Sequence, residues 1–301
     1  MASNAINIVY FGTNTFSAKV LHSLLQHTNI LVKYIVTKSD KKVGRGRSLT
    51  PNPLTVVANK YRIPVIRVSS LIKNPNQLTK INFNTIDLGV VVSFAYILPY
   101  DILCQIKKGF INLHPSLLPI ARGPSPIQYS IINCGTNLGI STMLLDRGVD
   151  SGPLLLQQKI NINSSLVYPQ IEEIIVREGE KLLYKTIIRY NLGLLKPKKQ
   201  NENNATFCNF IKKEDGFVTL SENSTHLYNL YRAYYTWPGI FTTVAHLEDF
   251  LGFKLKVRDK QAIIKLKQVV LDEKGNLLIH KLQLPNKPVI EFKDFVNGYK
   301  L

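Results

Sequence analysis

The strongest constraint on this chain is the form of the apolar runs in its first half. Residues 6–11 (INIVYF), 31–37 (LVKYIVT), 87–95 (DLGVVVSFA) and 110–114 (FINLH) are short and nearly continuous in apolar character. A strand with one face in water alternates apolar and polar residues, whereas a strand covered on both faces does not. Helical stretches separate these runs. Residues 16–27 place Phe16, Val20, Leu21, Leu24 and Leu25 on one helical face, and residues 54–61 read as a second short helix. Strand and helix in alternation predict an α/β fold: a Rossmann-like, mostly parallel sheet with helices on both faces. Ligands of such sheets bind beyond the carboxyl ends of the strands.

A long amphipathic helix is expected over 171–190, followed by the polar stretch 196–206 (KPKKQNENNAT) without apolar periodicity. The domain boundary is placed there: a catalytic domain over 1–190, a linker over 191–206, and a small C-terminal domain over 207–301. The C-terminal part opens with a helix over 225–234 and continues in short strands, which suggests a small β-barrel. Residues 253–260 (FKLKVRDK) read as one of these strands. Phe253, Leu255 and Val257 would face inward, with Lys254, Lys256 and Arg258 together on the exposed face.

Composition narrows the partners. The 301 residues carry 38 Lys and Arg against 20 Asp and Glu, a formal net charge of +18. Such an excess favours a polyanion. Residues 1–206 hold 24 of the basic and 10 of the acidic side chains, so the surplus lies mostly in the first part. It includes the dense run 38–47 (KSDKKVGRGR), with Lys41, Lys42, Arg45 and Arg47. Three cysteines, with no paired spacing, predict neither a disulfide framework nor a thiolate zinc site. No apolar run is long enough to cross a bilayer, and the N-terminus resembles neither a signal nor a transit peptide, so a cytoplasmic protein is expected.

The chemistry concentrates at residues 109–128. Asn112 and His114 lie two apart on a strand, so their side chains share a face, and Pro115 ends the strand just beyond them. An amide beside an imidazole can polarise a carbonyl and move a proton. Asp150, in the Gly-flanked turn 148–153 (GVDSGP), supplies a carboxylate able to reach the imidazole. The same residue types also serve as turn and strand-end hydrogen-bonding groups. No Ser, Cys or Lys stands in the setting of an activated nucleophile, so acyl transfer without a covalent enzyme intermediate suits the set. There is no dinucleotide-binding glycine fingerprint, no P-loop and no metal-ligand spacing; no metal is expected.

The strings NLHPSLLPIARGPSPIQ (112–128) and STMLLDRGVDSGPLL (141–155) closely resemble the folate-dependent formyltransferases, and within them the members acting on methionyl-tRNA. Weaker likenesses run the length of the chain, at 6–17, 43–53, 90–99, 205–216 and 231–239. The resemblance implies 10-formyltetrahydrofolate as formyl donor and methionyl-initiator tRNA as acceptor; no protein partner is implied. It matches Asn112, His114 and Asp150 to the family's catalytic residues. Ser116, Leu117, Leu118 and Pro119, with Phe94, Ala95, Tyr96 and Ile97, match its folate-contacting segments. Arg45 matches an arginine that engages the acceptor end of tRNA, and the C-terminal domain is implied to be an OB-like barrel. Lys41, Lys42, Arg47, Lys254, Lys256 and Arg258 are the further candidates for tRNA contact. Ile120-Ala121 stands where relatives often carry a basic and an aromatic residue. A formyltransferase acting on a nucleotide-linked amino sugar, and a non-catalytic RNA-binding relative, are the competing readings.

Overall fold

The computed structural model describes residues 5–43, 48–71 and 74–301. The chain forms two compact units. The first draws on residues up to 126, on 139–160 and on 172–207; the second on 127–138, 161–171 and 208–301.

In chain order the first unit begins with β1 (Ile6–Gly12), α1 (Thr15–Leu24), β2 (Ile30–Lys38), β3 (Lys41–Val43) and β4 (Ser48–Thr50). It continues with α2 (Pro53–Tyr61), β5 (Val65–Val68), β6 (Leu88–Val92), α3 (Tyr100–Leu103) and β7 (Phe110–His114). After α4 (Pro126–Cys134), almost all of it in the second unit, come β8 (Asn137–Leu144), β9 (Leu154–Asn161) and α5 (Tyr168–Asn191). Seven strands form one sheet in the order β5-β2-β1-β6-β7-β8-β9. Pairing is parallel from β5 to β7 and antiparallel between β7 and β8. The mostly parallel α/β sheet predicted from the apolar runs is therefore the fold. The strands β6 and β7 are buried at every position, as continuous apolar runs require.

One core packs Val9 and Phe11 of β1, Val36 of β2, Val91 of β6 and Phe110 of β7 with Leu71, Leu78 and Ile106. The ring of Phe110 occupies the space a Cβ would need at Gly89. The helices start where capping chemistry allows. Asn14 accepts from the Ser17 amide at 3.0 Å to cap α1, and Asn52 accepts from Leu54 ahead of Pro53 at the start of α2. The Thr186 and Thr142 hydroxyls, 2.9 Å apart, join α5 to the sheet.

From β1 the chain moves outward to β2 and β5, then returns to β6 on the other side of β1. The strand order reverses between β1 and β6, the switch point at whose carboxyl ends ligands of open α/β sheets bind. The loops leaving these strands are bonded to each other: Asn14 Nδ2 donates to Ser93 Oγ at 2.8 Å, and the Ala95 amide donates to Thr13 Oγ1 at 3.0 Å.

The second unit contains α6 (Ser224–Ala233), β10 (Ile240–Thr243), α7 (Val244–Leu251), β11 (Ile263–Leu271), β12 (Leu277–Gln283), β13 (Val289–Glu291) and α8 (Phe292–Tyr299). Its four strands pair antiparallel in the order β10-β11-β12-β13. In β11, Ile264 and Leu266 are buried while Lys265 and Lys267 are exposed, the alternation of a sheet with one wet face. The buried Arg232 of α6 donates to the carbonyls of Leu166 (2.8 Å) and Gly135 (3.3 Å). These bonds draw residues 127–138 and 161–171 into this unit, a recruitment that no linear boundary in the sequence marks.

One expected strand is absent. Residues 253–260 make no ladder; Leu255 alone bridges to Lys300. The predicted burial alternation is nonetheless present, with Leu255 buried and Lys254, Lys256 and Arg258 exposed. The segment is pinned from below instead, because the buried Glu248 of α7 takes the Leu255 amide (2.7 Å) and the Lys260 ammonium (2.5 Å). Side-chain anchoring thus replaces strand pairing.

Candidate active site

Asn112 and His114 stand at the carboxyl end of β7, paired in register with Met143 and Ser141 of β8. Both are buried, at 8% and 4% exposure. Their two-residue spacing puts both side chains on one face of the sheet. Asp150 meets them from the turn after β8. Its Oδ1 lies 3.4 Å from Asn112 Nδ2 and 3.7 Å from His114 Nδ1. The second separation is too long for a direct hydrogen bond but short enough for an ion pair. The Gly123 amide donates to the other carboxylate oxygen, Oδ2, at 2.8 Å. Asp150 has φ +51°, a left-handed conformation that Asp tolerates better than most residues.

On its far side the imidazole Nε2 lies 2.9 Å from the carbonyl oxygen of Ala121. Both ring nitrogens therefore face oxygens that can only accept, a carbonyl and a carboxylate. The carbonyl contact is short enough that Nε2 donates to it, which leaves Nδ1 as the nitrogen beside Asp150. An amide donor, an imidazole and a carboxylate thus meet at the end of β7, with Asp150 Oδ1 between the other two.

The SLLP segment turns sharply after β7. Ser116 is fully buried and donates to the Ile120 carbonyl at 2.6 Å. The Leu118 amide donates to Ser141 Oγ at 3.0 Å, and Gln157 donates to the Leu118 carbonyl at 2.8 Å. The Leu118–Pro119 bond is cis. Leu117 and Pro119 are partly exposed. In the loop after β6, Phe94 and Tyr96 pack onto the core, while Ala95 and Ile97 face outward, Ile97 at 66% exposure. Of the basic run, the backbones of Lys41 and Lys42 lie in β3, which pairs with β4. Arg45 and Arg47 lie outside the described residues. Lys254, Lys256 and Arg258 belong to the second unit. Among the described residues no group of His, Cys, Asp and Glu is placed to hold a metal ion, and no helix is long and apolar enough to cross a membrane.

Residues 6–187 match the family model for formyl transferases, and residues 210–300 match the model for the formyl transferase C-terminal domain. The chain belongs to the formyl transferase family. Relatives named methionyl-tRNA formyltransferase include those of Caldicellulosiruptor saccharolyticus, 34% identical over 98% of each chain, and of Gloeothece citriformis, 32% identical over 98% of this chain and 97% of its own. Among solved structures, an N-formyltransferase from Helicobacter canadensis in complex with folinic acid and dTDP-3-aminofucose superposes with a TM-score of 0.64 at 16% identity, covering 98% of this chain and 97% of its own.

In this formyl transferase several site residues are not apparent from sequence. Ala121 contributes through its carbonyl and Gly123 through its amide, and backbone groups leave no signature of residue type. Arg122, at 2% exposure, binds Gln200 and Glu202. Glu202 holds its guanidinium above the ordinary pKa despite burial, and Arg122 in turn holds the Glu202 carboxyl below the usual carboxylate range. Gln200 and Glu202 come from the stretch expected as a linker, whose polar composition is equally that of a solvated tether. The one available signal was Arg122 itself, a charge inside a segment otherwise rich in apolar and turn residues.

Proposed function

We infer that this enzyme transfers the formyl group of 10-formyltetrahydrofolate to the amino group of methionyl-initiator tRNA. The observation that carries the reading is the convergence of Asn112, His114 and Asp150 at the end of β7. It gains support from methionyl-tRNA formyltransferases at 31–34% identity over nearly the whole chain, and from the net charge of +18.

The residues suit the chemical problem. A neutral amine adds to the formyl carbon, negative charge grows on the formyl oxygen, and the folate nitrogen must leave protonated. The Asn112 amide would donate to that oxygen; one well-placed donor of this type is worth about 3 kcal/mol. His114 would supply or relay the proton. Asp150 would orient the imidazole. The exposed apolar side chains of Ile97, after β6, and Val149, beside Asp150, would be candidates to contact the folate. Contacts from the basic segments to phosphates would supply salt-dependent affinity for tRNA, while choice of the initiator must come from groups that read the acceptor end.

The likeness to the Helicobacter canadensis enzyme in complex with an amino-sugar nucleotide favours one alternative acceptor of that class. The test offers purified enzyme 10-formyltetrahydrofolate with charged initiator tRNA, charged elongator tRNA and an amino-sugar nucleotide in parallel. Formylation of the initiator tRNA alone is expected. Equal or faster formylation of the sugar would overturn the reading.

A further inference from the structure

We propose that residues 198–206 form a positioning strap for the site, with Gln200 as the side chain that fixes the Asp150 turn. The proposal rests on the formyl-transfer reading only for the activity it measures.

The strap runs back along the first unit after α5. Lys198 and Leu154 exchange backbone hydrogen bonds at 2.7 and 2.9 Å, which fixes its register beside β9. Two residues on, Gln200 is 4% exposed and uses its whole amide. Nε2 donates to the carbonyls of Asp150 (2.9 Å) and Gly152 (2.7 Å). Oε1 accepts from Arg122 Nη2 (2.8 Å) and Nε (3.2 Å). Only a carboxamide meets both demands, two donors for the carbonyls and an acceptor for the guanidinium. A glutamate at this position would keep the arginine and lose both donors. A leucine would strand three buried polar partners.

The far end of the strap holds the other side of the site. Thr206 Oγ1 accepts from the Ala121 amide (2.9 Å), and the Thr206 carbonyl accepts from the Arg122 amide (2.9 Å). Ala121 is the residue whose carbonyl meets His114, and Gly123 is the residue whose amide meets Asp150. One segment thus fixes both turns that aim the imidazole and the carboxylate at each other. Gln200 touches neither of those two groups, so its role is positional. An error of about 1 Å in such a site can cost about a hundredfold in rate.

The experiment compares Gln200→Glu, Thr206→Val and Thr206→Ser with wild type. Each is assayed for kcat and KM with methionyl-tRNA, for melting temperature, and by NMR for the chemical shifts of the His114 ring. Gln200→Glu should lower kcat by about tenfold or more while leaving the donor KM within about threefold. The ring resonances of His114 should move from their wild-type positions, because the carboxylate beside the ring is displaced. Thr206→Val should show the same pattern more weakly, and Thr206→Ser should restore it. Folded Gln200→Glu and Thr206→Val proteins with wild-type kcat and unmoved His114 ring resonances would overturn the strap. If Gln200→Glu does not fold, the Thr206 pair decides. If wild type does not formylate methionyl-tRNA, the acceptor assignment fails, and the His114 ring shifts still decide the strap.

Discussion

The Nε2 atom of His114 lies 2.9 Å from the carbonyl oxygen of Ala121, and that contact determines where the imidazole carries a proton. A carbonyl only accepts, so Nε2 is the donor. The remaining nitrogen then faces Asp150. The histidine is held between a fixed dipole and a fixed charge before any substrate arrives, which is the preorganisation that makes electrostatic catalysis effective.

Removing the amide donor tests the first role. Asn112→Ala should lower kcat by about a hundredfold with little change in either KM, since the donor acts on charge that develops only during transfer. Steady-state kinetics against both substrates check this. A rise in KM at constant kcat would assign Asn112 to ground-state binding instead.

Asp150→Asn separates charge from shape. Asn adopts the φ of +51° at this position as readily as Asp, and its side-chain oxygen can still accept from the Gly123 amide. The melting temperature should stay within a few degrees, while kcat falls by about a hundredfold or more through loss of the carboxylate beside His114. Wild-type turnover in the folded variant would contradict the assignment.

Gly152 is fixed by close approach. A Cβ there would lie 1.8 Å from the Leu144 carbonyl oxygen, and backbone cannot yield as a flexible side chain can. Gly152→Ala should cost about 2 kcal/mol and reduce activity, because the turn that moves also carries Asp150. Urea denaturation gives the first quantity and the formylation assay the second.

The Glu248 anchor gives a pH prediction. Burial works against its charge, but the Lys260 ammonium, the Leu255 amide and Lys254 outweigh it and hold the carboxyl below the usual carboxylate range. A group depressed on folding contributes stability above its unfolded pKa of about 4.3, and that contribution is lost as pH falls through the folded value. Glu248→Gln should therefore be less stable than wild type at pH 7 by about 1 kcal/mol. The gap should close below about pH 4. Denaturation midpoints at the two pH values measure it; a gap independent of pH would mean that the charge contributes nothing.

The exposed cations above this anchor should bind phosphate. Changing Lys254, Lys256 and Arg258 together to alanine should weaken tRNA binding and reduce the slope of log affinity against log salt by about 2 to 3. Folate-donor KM should not change. An unaltered slope would remove this segment from the tRNA interface.

The sequence alone determined the sheet and the facing of its strands. Continuous apolar runs are compatible with few environments, and a strand's period of two put Asn112 and His114 on one face without any knowledge of the fold. It determined equally that Lys254, Lys256 and Arg258 would be exposed, because burial alternation follows local spacing even where no ladder forms. Tertiary structure decided the rest. It brought Asp150 to the histidine across 35 intervening residues, used the carbonyl of Ala121 and the amide of Gly123, and turned a polar stretch into a buried strap through Gln200. Backbone groups are the same in every residue, and a glutamine looks alike in water or in a core until its partners are placed. Contacts that depend on chain return rather than on local period leave no trace in the order of residues.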